Sequence, residues 1–442
     1  MFANLLWVLV LVVLAGLTGW LVVRSWKSPR GWVKWPGTVL SGIATLLILV
    51  MLALGFLPIP PDIAPIPTPG HNGAPDNAPT TPPVTSAPRT LTVQPGQTIQ
   101  SAVDQAKPGD TVEVTPGVYP EAVKVSVDGL TLRGIPDSSG QWPVLDGQGK
   151  LDNAVMGTGN FLTVEQFQIR NYTDNGVITK GGYGPTYRDL IITDPGEYGV
   201  FPVLDTHVLI QRIKVTGAKD AGIYVGQSRD VVVEDSEAFK NNSGIEIEST
   251  INSVVQNNYV HDNTLGMLVW ISEEPDVIAK DGHDARLLNN RVEGNNAAPI
   301  ATHSLPGAIP PGIGILVLMA DRTEVAHNTI EGNNSAGVAV ATATTAFGDT
   351  HAFTVPLIPE GTWLHDNQYS GNGSQPAGYF AKAGFPGADI LWDAGSWDSR
   401  FDDTNVKTFP LLPSSAWPDP AKRALWQIYR LLLSGTPAVA DS

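Results

Sequence analysis

Two glutamates, Glu246 and Glu248, have the residue type and spacing best suited to chemistry in this chain. They alternate with isoleucines in Gly244-Ile-Glu-Ile-Glu, so both side chains should project from one face of a strand. The equivalent positions of the segments before and after carry Tyr224 and Trp270. Paired carboxylates beside aromatic rings suit glycoside hydrolysis or proton abstraction from a uronic acid. A solvated acidic face without a catalytic role is the alternative interpretation.

An acidic insertion at 272–283 follows this segment and supplies a third candidate acid or base, Glu273. Carboxylate oxygens on such a loop are typical of Ca²⁺ binding, and an imidazole would favour another divalent ion. The candidate metal ligands are Glu273, Glu274, Asp281 and His283, with Asp276 and Asp284 nearby. The chain's other histidines are scattered. His261, His327 and His365 fall at three different positions of the repeat described next, which predicts no histidine metal cluster.

The elements that must position these residues form a repeat between 176 and 340, with a period of about 22 residues that is typical of a solenoid. Each repeat has a glycine followed by an apolar residue, any residue and a second apolar or small residue. These glycines are Gly176, Gly199, Gly222, Gly244, Gly266, Gly314 and Gly337. The period-2 patterning after each glycine indicates strands. We therefore predict an all-β solenoid of about ten coils with Ile223, Ile245 and Met267 stacked inside.

Asparagines mark two further positions of each coil, both downstream of the glycine segment. They occur in segments such as Asn258-Tyr-Val-His-Asp-Asn263 and Asn290-Arg-Val-Glu-Gly-Asn295. Asparagine tolerates left-handed turns, and its amide can bond to the coils above and below. Stacked asparagine columns at two corners are the expected result. A helix near 98–106 should cover the first coil.

Departures from the regular spacing locate three insertions, at 272–283, 297–311 and 343–360. The first and third interrupt the same corner one coil apart, so they should project side by side. Alternate positions of the glycine strands form an outward apolar stripe, and a stripe of that size normally binds something. The predicted ligand-binding residues are Tyr224, Trp270, Phe201 and Leu268. A protein partner, a glycan, or cover by a C-terminal helix near 420–433 would each account for the stripe.

The charge and the cysteine content exclude some classes of partner and ligand. After residue 89 the chain has 22 basic and 41 acidic residues, a net charge of −19 that argues against nucleic acid. The absence of cysteine excludes disulfides and thiolate metal ligands.

The N-terminal part predicts a membrane anchor made of two transmembrane helices. Segments 3–23 and 38–57 are each about 20 residues long and uncharged, enough to cross roughly 30 Å of hydrocarbon. The loop between them carries four positive charges, which places it in the cytoplasm and both chain ends outside. A proline-rich linker at 58–89 follows, then the β-helix at 90–380 and a C-terminal extension at 381–442.

Three features of the sequence resemble right-handed parallel β-helix repeat proteins of the pectate-lyase-like superfamily. They are the glycine strands, the asparagine corners and the segment Pro108-Gly-Asp-Thr-Val-Glu-Val-Thr-Pro-Gly-Val-Tyr119. Asp220-Ala-Gly-Ile-Tyr-Val-Gly-Gln-Ser228 more narrowly resembles an exported bacterial subfamily of unassigned function, often encoded beside a c-type cytochrome-like protein. Alginate C5-epimerases of this fold carry an Asp-Pro-His motif. The corresponding stretch here, Asp194-Pro195-Gly196, lacks the histidine.

Three functions remain open from the sequence. The first is a membrane-anchored, extracytoplasmic binding protein that contacts a protein partner, which the resemblance implies could be an electron-transfer protein, or an envelope glycan. The second is a polysaccharide lyase, hydrolase or epimerase, with Ca²⁺ as its expected cofactor if it has one. The third, also implied by the resemblance, is metal delivery.

Overall fold

The computed structural model describes residues 87–275, 277–347, 350–382, 387–392 and 399–409 of the 442-residue chain. The predicted membrane hairpin at 1–57, the linker up to residue 86 and the predicted helix near 420–433 lie outside these ranges. Within them, no helix is long and apolar enough to cross a bilayer.

The described chain winds into coils whose strands pair in parallel with those of the coils before and after, as in a parallel β-helix. One sheet has nineteen strands: β1 (Thr90–Val93), β2 (Thr111–Val114), β3 (Val118–Tyr119), β5 (Thr131–Gly134), β6 (Val144–Asp146), β8 (Thr163–Arg170), β10 (Thr186–Thr193), β12 (Thr206–Thr216), β14 (Arg229–Glu234), β15 (Glu237–Phe239), β17 (Ile251–Gln256), β18 (Tyr259–His261), β20 (His283–Leu288), β21 (Arg291–Glu293), β23 (Glu324–Ala326), β24 (Thr329–Glu331), β26 (Trp363–His365), β27 (Gln368–Ser370) and β29 (Arg400–Phe401).

The other sheet, here called the glycine sheet, has eleven strands: β4 (Val123–Val125), β7 (Asn153–Gly157), β9 (Asn175–Lys180), β11 (Val200–Val203), β13 (Ala221–Gly226), β16 (Ser243–Glu248), β19 (Leu265–Trp270), β22 (Ile313–Leu318), β25 (Ala336–Ala341), β28 (Ala388–Trp392) and β30 (Thr408–Phe409). The short helices of the described chain are α1 (Ile99–Val103), α2 (Leu305–Ala308), α3 (Ala343–Phe347) and α4 (Gly378–Lys382). Because β28, β29 and β30 pair with the preceding coils, the β-helix continues past the predicted limit at 380.

The nineteen-stranded sheet bends into two faces along a column of corner residues with positive φ. The column consists of Gln166, Asp189, Arg212, Asp235, Asn257, Asn289, His327 and Asp366, with φ between 52° and 62°. Most of these are Asn, Asp or His, the residue types that enter the left-handed region most readily. Each coil therefore has three flat sides around one core.

The core contains the residues that the glycine-strand pattern predicts. Ile223, Ile245 and Met267 pair in register on β13, β16 and β19, and all three are buried. The predicted helix over the first coil is α1, whose Ile99 and Val103 are buried and whose first backbone N–H groups donate to the carboxylate of Glu121.

The predicted asparagine columns are confirmed. In one column Asn263, Asn295 and Asn333 follow one another, and each donates its backbone N–H and its Nδ2 to the Oδ1 of the next at 2.9–3.2 Å. A parallel column contains Asn258, Asn290 and Asn328. The columns supply partners to backbone groups at corners, where the strands cannot.

We expect Asn295→Ala to cost about 2–4 kcal/mol of unfolding free energy, measured by urea denaturation. The buried Asn295 amide accepts two hydrogen bonds from Asn263 and donates to Val260 O and Asn333 Oδ1. Alanine would leave these groups unpaired. Asn296→Ala is the control, because its half-buried amide makes two bonds, to Gly332 O and from Asn334 N. Equal costs for the two variants would contradict a structural role for the column.

Candidate active site on the glycine sheet

The strand β16 turns Glu246 and Glu248 away from the core, as its alternation predicts, and turns Ile245 and Ile247 into it. Glu246 pairs in register with Tyr224 on one side and Leu268 on the other. Glu248 lies between Gly226 and Trp270. The acid pair therefore lies near the middle of the glycine sheet, with coils on both sides.

The predicted outward apolar stripe is covered and not exposed, and ligand binding by its residues stays a prediction. Tyr224 and Trp270 are each 5 % exposed and Leu268 is 0 % exposed, while Phe201 is half-buried against the rings of Tyr198 and Tyr224. The physical reason is that the inserted segments fold back over the sheet, which removes the apolar stripe from water. Cover from within the chain was one of the alternatives, and these segments supply it.

One inserted segment, 297–311, crosses the N-terminal ends of the glycine strands. The backbone N–H of Ile300 donates to Asn242 Oδ1 at 2.6 Å, and Asn242 Nδ2 donates to Ala301 O at 2.6 Å. Further along the segment, His303 Nε2 lies 2.9 Å from Glu197 Oε2. These contacts hold the segment against the residues that precede β11 and β16.

The other two inserted segments cover the C-terminal ends. Backbone N–H groups of Ile278 and Ala279 donate to Gln227 Oε1, which follows β13, at 2.8 and 3.0 Å. Glu273 accepts hydrogen bonds from the backbone N–H groups of Thr354 and Val355 at 2.9 and 3.0 Å. The prediction that 272–283 and 343–360 project side by side is therefore confirmed, and Glu273 joins them.

The later coils of the stripe are covered by helices. Leu316 and Leu318 face α2, α3 and α4 across an apolar cavity of about 160 Å³, which is also lined by Leu305, Phe347 and Phe380. None of the described residues that line this cavity is acidic.

Each glutamate of the pair receives one hydrogen bond from an aromatic side chain. Trp270 Nε1 donates to Glu246 Oε1 at 2.8 Å, and the Tyr224 hydroxyl donates to Glu248 Oε2 at 2.6 Å. Both bonds run diagonally across the strands. Tyr224 reaches Glu248 over Gly226, where a Cβ would lie 2.5 Å from the tyrosine ring and hydroxyl. Only glycine leaves room for this contact.

The second oxygen of each glutamate has no such donor. Glu246 and Glu248 are 2 % and 4 % exposed, yet Glu246 Oε2 and Glu248 Oε1 have no hydrogen-bond partner within 3.5 Å among the described residues. The Ser272 hydroxyl lies near Glu248 and acts on its pKa in the opposite direction to burial. Burial raises the pKa of Glu248 to about 7 and that of Glu246 well above its usual range. Two desolvated carboxyl groups side by side thus retain protons near neutral pH, which is the condition for acid–base work.

A third acid, Asp220, belongs to the site although the sequence analysis did not select it. The Tyr198 hydroxyl donates to Asp220 Oδ2 at 2.8 Å, and Oδ1 has no partner within 3.5 Å in the described part of the chain, with the Ser304 hydroxyl nearby. Burial raises the pKa of Asp220 to about 6. Its position directly before β13 was visible in the sequence, but the segment 297–311 that covers it comes from much later in the chain.

Glu273, the third catalytic candidate, forms an ion pair with Lys280. Lys280 Nζ donates to it at 2.9 Å, and this hydrogen bond lowers the pKa of Glu273 to about 2. Its role in the structure is to tie two covering segments together, and it remains ionised at any pH where a general acid would need its proton.

The four predicted metal ligands do not converge. Glu273 binds Lys280 and Thr354, whereas His283 Nδ1 lies 2.6 Å from Asp284, with Asp281 3.8 Å from Nε2. Glu273 therefore lies at one place in the structure, and His283 lies with Asp281 and Asp284 at another.

Two of the histidines do cluster, contrary to the prediction. Among the described residues, one group of three presents ligand atoms within 4.8 Å of one another, and it consists of His327, His365 and Asp366. The two histidines occupy different positions of the repeat, as the sequence indicates. They nevertheless come together because β23 and β26 are neighbouring strands and the positions are adjacent.

Comparison with known proteins agrees with this architecture. Residues 175–349 match the family model described as a right handed beta helix region. The described coils thus form a right-handed parallel β-helix. No curated protein matches the sequence.

Solved structures resemble the fold at low identity. The A-module of a mannuronan C-5 epimerase from Azotobacter vinelandii is 17 % identical with a TM-score of 0.47, over 70 % of this chain and 86 % of its own. An alginate lyase from Paenibacillus is 16 % identical with a TM-score of 0.47, over 71 % and 99 %. A DFA-IIIase from Arthrobacter chlorophenolicus is 12 % identical with a TM-score of 0.44, over 75 % and 100 %.

Proposed function

We propose that this protein is a carbohydrate-active β-helix enzyme whose acid–base pair is Glu246 and Glu248. The observation that carries the proposal is that both carboxyl groups are buried, each is fixed by one aromatic donor, and each keeps one oxygen without a partner in the described structure. Buried acids with no purely structural partner set are typical of sites that meet a ligand.

The spacing of the pair suits a sugar ring. Residues two apart on a strand have Cα atoms about 7 Å apart, which leaves room for a glycosidic oxygen or a water molecule between the carboxyl groups. Glu246, whose pKa burial raises well above its usual range, holds the proton that would be given to the leaving oxygen. Glu248 loses its proton near pH 7 and would take one from water, in hydrolysis, or from C5 of a uronic acid, in elimination or epimerisation.

Substrate entry requires the covering segments to part. The contacts that hold them in place include those of Glu273 with Thr354 and Val355 at one end, and those of Asn242 with the backbone at 300–301 at the other. We propose further that segments 3–23 and 38–57 anchor the enzyme in the cytoplasmic membrane and display the β-helix outside the cell, where envelope polysaccharides lie.

The test is turnover by the full-length chain on a panel of neutral and uronate-containing polysaccharides, with Ca²⁺ supplied. Glu246→Gln and Glu248→Gln should each lower kcat/KM at least a hundredfold, because glutamine can neither give nor take the proton. The parent's kcat/KM should rise with pH through about 7 as Glu248 ionises. Glu237→Gln, which removes a surface glutamate paired with Lys214, should be neutral. Full activity in the two site variants, or no turnover on any substrate, would refute the proposal.

Binding without catalysis is the second candidate, and one observation favours it. An open polar groove of about 800 Å³ runs beside the covered site, lined by Asp146, Asn171, Asp194, Lys219 and Ile300 among others. Acid, amide and amine groups in one groove suit a glycan or the polar rim of a protein partner. Saturable glycan binding that is unchanged in the Glu246→Gln, Glu248→Gln double variant, without turnover by the parent, would favour this function.

A further inference from the structure

A group of three metal-ligating side chains lies on the outside of the β-helix, on the bend of the nineteen-stranded sheet. His327 follows β23 and Asp366 follows β26, both at corner positions with positive φ, and His365 is the last residue of β26. Their ligand atoms lie within 4.8 Å of one another. We infer that His327, His365 and Asp366 bind one divalent transition-metal ion.

The hydrogen bonds of His365 orient it as a ligand. Its Nε2 lies 3.1 Å from Oε1 of the buried Glu324, and Glu324 is in turn held by Arg286 Nε at 2.6 Å. A carboxylate can only accept, so this contact places the proton of a neutral ring on Nε2 and leaves the lone pair on Nδ1. An outer carboxylate that fixes the imidazole tautomer is the usual second shell of a histidine ligand.

The other ring nitrogen then meets a second acceptor. His365 Nδ1 lies 2.8 Å from Asp366 Oδ2. A neutral imidazole cannot donate to both carboxylates, and a positive charge between Nδ1 and Asp366 would satisfy this contact. A metal ion bound by both atoms supplies that charge and keeps the bond to Glu324 intact. A second ring proton is the competing solution, and His327 offers a third ligand atom to a metal ion.

Another histidine provides the comparison. His261 also lies between two carboxylates, with Nδ1 2.8 Å from Asp262 and Nε2 3.4 Å from Glu237. Asp262 is likewise a corner residue, but its neighbours in the coils below and above are Lys240 and Gly294. A lysine repels a cation and a glycine offers no ligand, so no metal ion is expected at His261.

The His283–Asp284 pair fails as a ligand set for a different reason. Arg322 donates to both oxygens of Asp284, at 2.7 and 3.0 Å, and so supplies the positive charge itself. Of these three histidine–aspartate pairs, the pair at 365–366 has a second imidazole beside it, with the rings of His327 and His365 5.8 Å apart.

Two imidazoles and one carboxylate select the chemical class of the ion. Nitrogen ligands favour Zn²⁺, Co²⁺, Ni²⁺ or Cu²⁺ over Ca²⁺ and Mg²⁺, which prefer sets made of oxygen alone. His327 and Asp366 are exposed, so water can complete the coordination and the ion can enter from solvent.

The test is a Co²⁺ titration of the purified full-length chain without a histidine tag, in excess Mg²⁺ to saturate the acidic surface. The readouts are the visible absorption of bound Co²⁺ and the fluorescence of Trp363, whose ring stacks on His365 at 3.9 Å. We expect one Co²⁺ per chain. Fluorescence quenching should disappear in Trp363→Phe while the absorption remains.

The variants are chosen to keep the fold. Asparagine tolerates positive φ, so His327→Asn and Asp366→Asn preserve the corners, and each should weaken Co²⁺ binding at least tenfold. His365→Gln should do the same, whereas the matched His261→Gln should leave the affinity unchanged. Thermal melting checks that all four variants are folded. Absence of Co²⁺ binding, affinity unaffected by His327→Asn, or an equal loss in His261→Gln would overturn the inference.

Discussion

Ile245→Asp is expected to unfold the coils around β16 or to prevent the chain from folding at all. Ile245 is 1 % exposed and lies between Ile223 and Met267 in the stacked core. The variant loses the burial of a large aliphatic side chain and gains a carboxyl group without a partner, which together cost more than about 4 kcal/mol. Coils are held by their neighbours, so the damage should spread along the solenoid. Urea denaturation followed by circular dichroism measures the loss.

Two controls separate burial from the chemical change itself. Ile191→Asp makes the same replacement at an outward position of β10 that is 37 % exposed and pairs in register with Lys214, and it should cost little. Ile245→Val keeps the position apolar and should cost about 1 kcal/mol. If Ile245→Asp melted like the parent, the assignment of Ile245 to the core would be wrong.

The second large effect is a loss of stability as the pH rises from about 4.5 to above 7. Burial raises the pKa of Glu248 from 4.5 to about 7, those of Asp205 and Asp220 from 3.8 to about 6, and that of Glu246 well above its usual 4.5. Over this range the folded protein holds protons that the unfolded chain has released, so stability is full below the unfolded values and falls as pH rises. For Glu248 alone the loss is about 3 kcal/mol.

Unfolding free energies measured across pH 4.5–8 would show this slope. Glu248→Gln should flatten it, since glutamine has no proton to lose. Glu237→Gln should leave it unchanged, because hydrogen bonding and charge from Lys214 and His261 keep the Glu237 pKa below its usual value. A parent protein that grows more stable with rising pH would show that the acid pair is solvated, and the proposed catalytic site would lose its basis.

The two stability predictions and the catalytic proposal are linked through the same strand. The alternation of β16 places Ile245 inside and Glu246 outside. If the residues of β16 were assigned to the wrong faces, the core position of Ile245 and the acid pair would both be wrong. The histidine site is independent of this register, because it lies on the corner between the two faces of the other sheet.

The sequence alone was sufficient for every feature that repeats. Gly222 and Gly244 indicate strands, Asn263 and Asn295 indicate corners, and the apolar positions between them predict the stacked core. A periodic local pattern carries this information because each coil contacts only its neighbours, so the register between coils follows from the period.

Only the tertiary structure decided what the insertions do, since they interrupt the period and their contacts lie far away in sequence. Ala301 reaches Asn242, and Thr354 reaches Glu273, although a long stretch of chain separates the members of each pair. These contacts turn a predicted open stripe into a covered acid site. His327 and His365 likewise meet only because an insertion between their coils leaves the stacking intact, so two positions far apart in sequence come to lie on neighbouring strands.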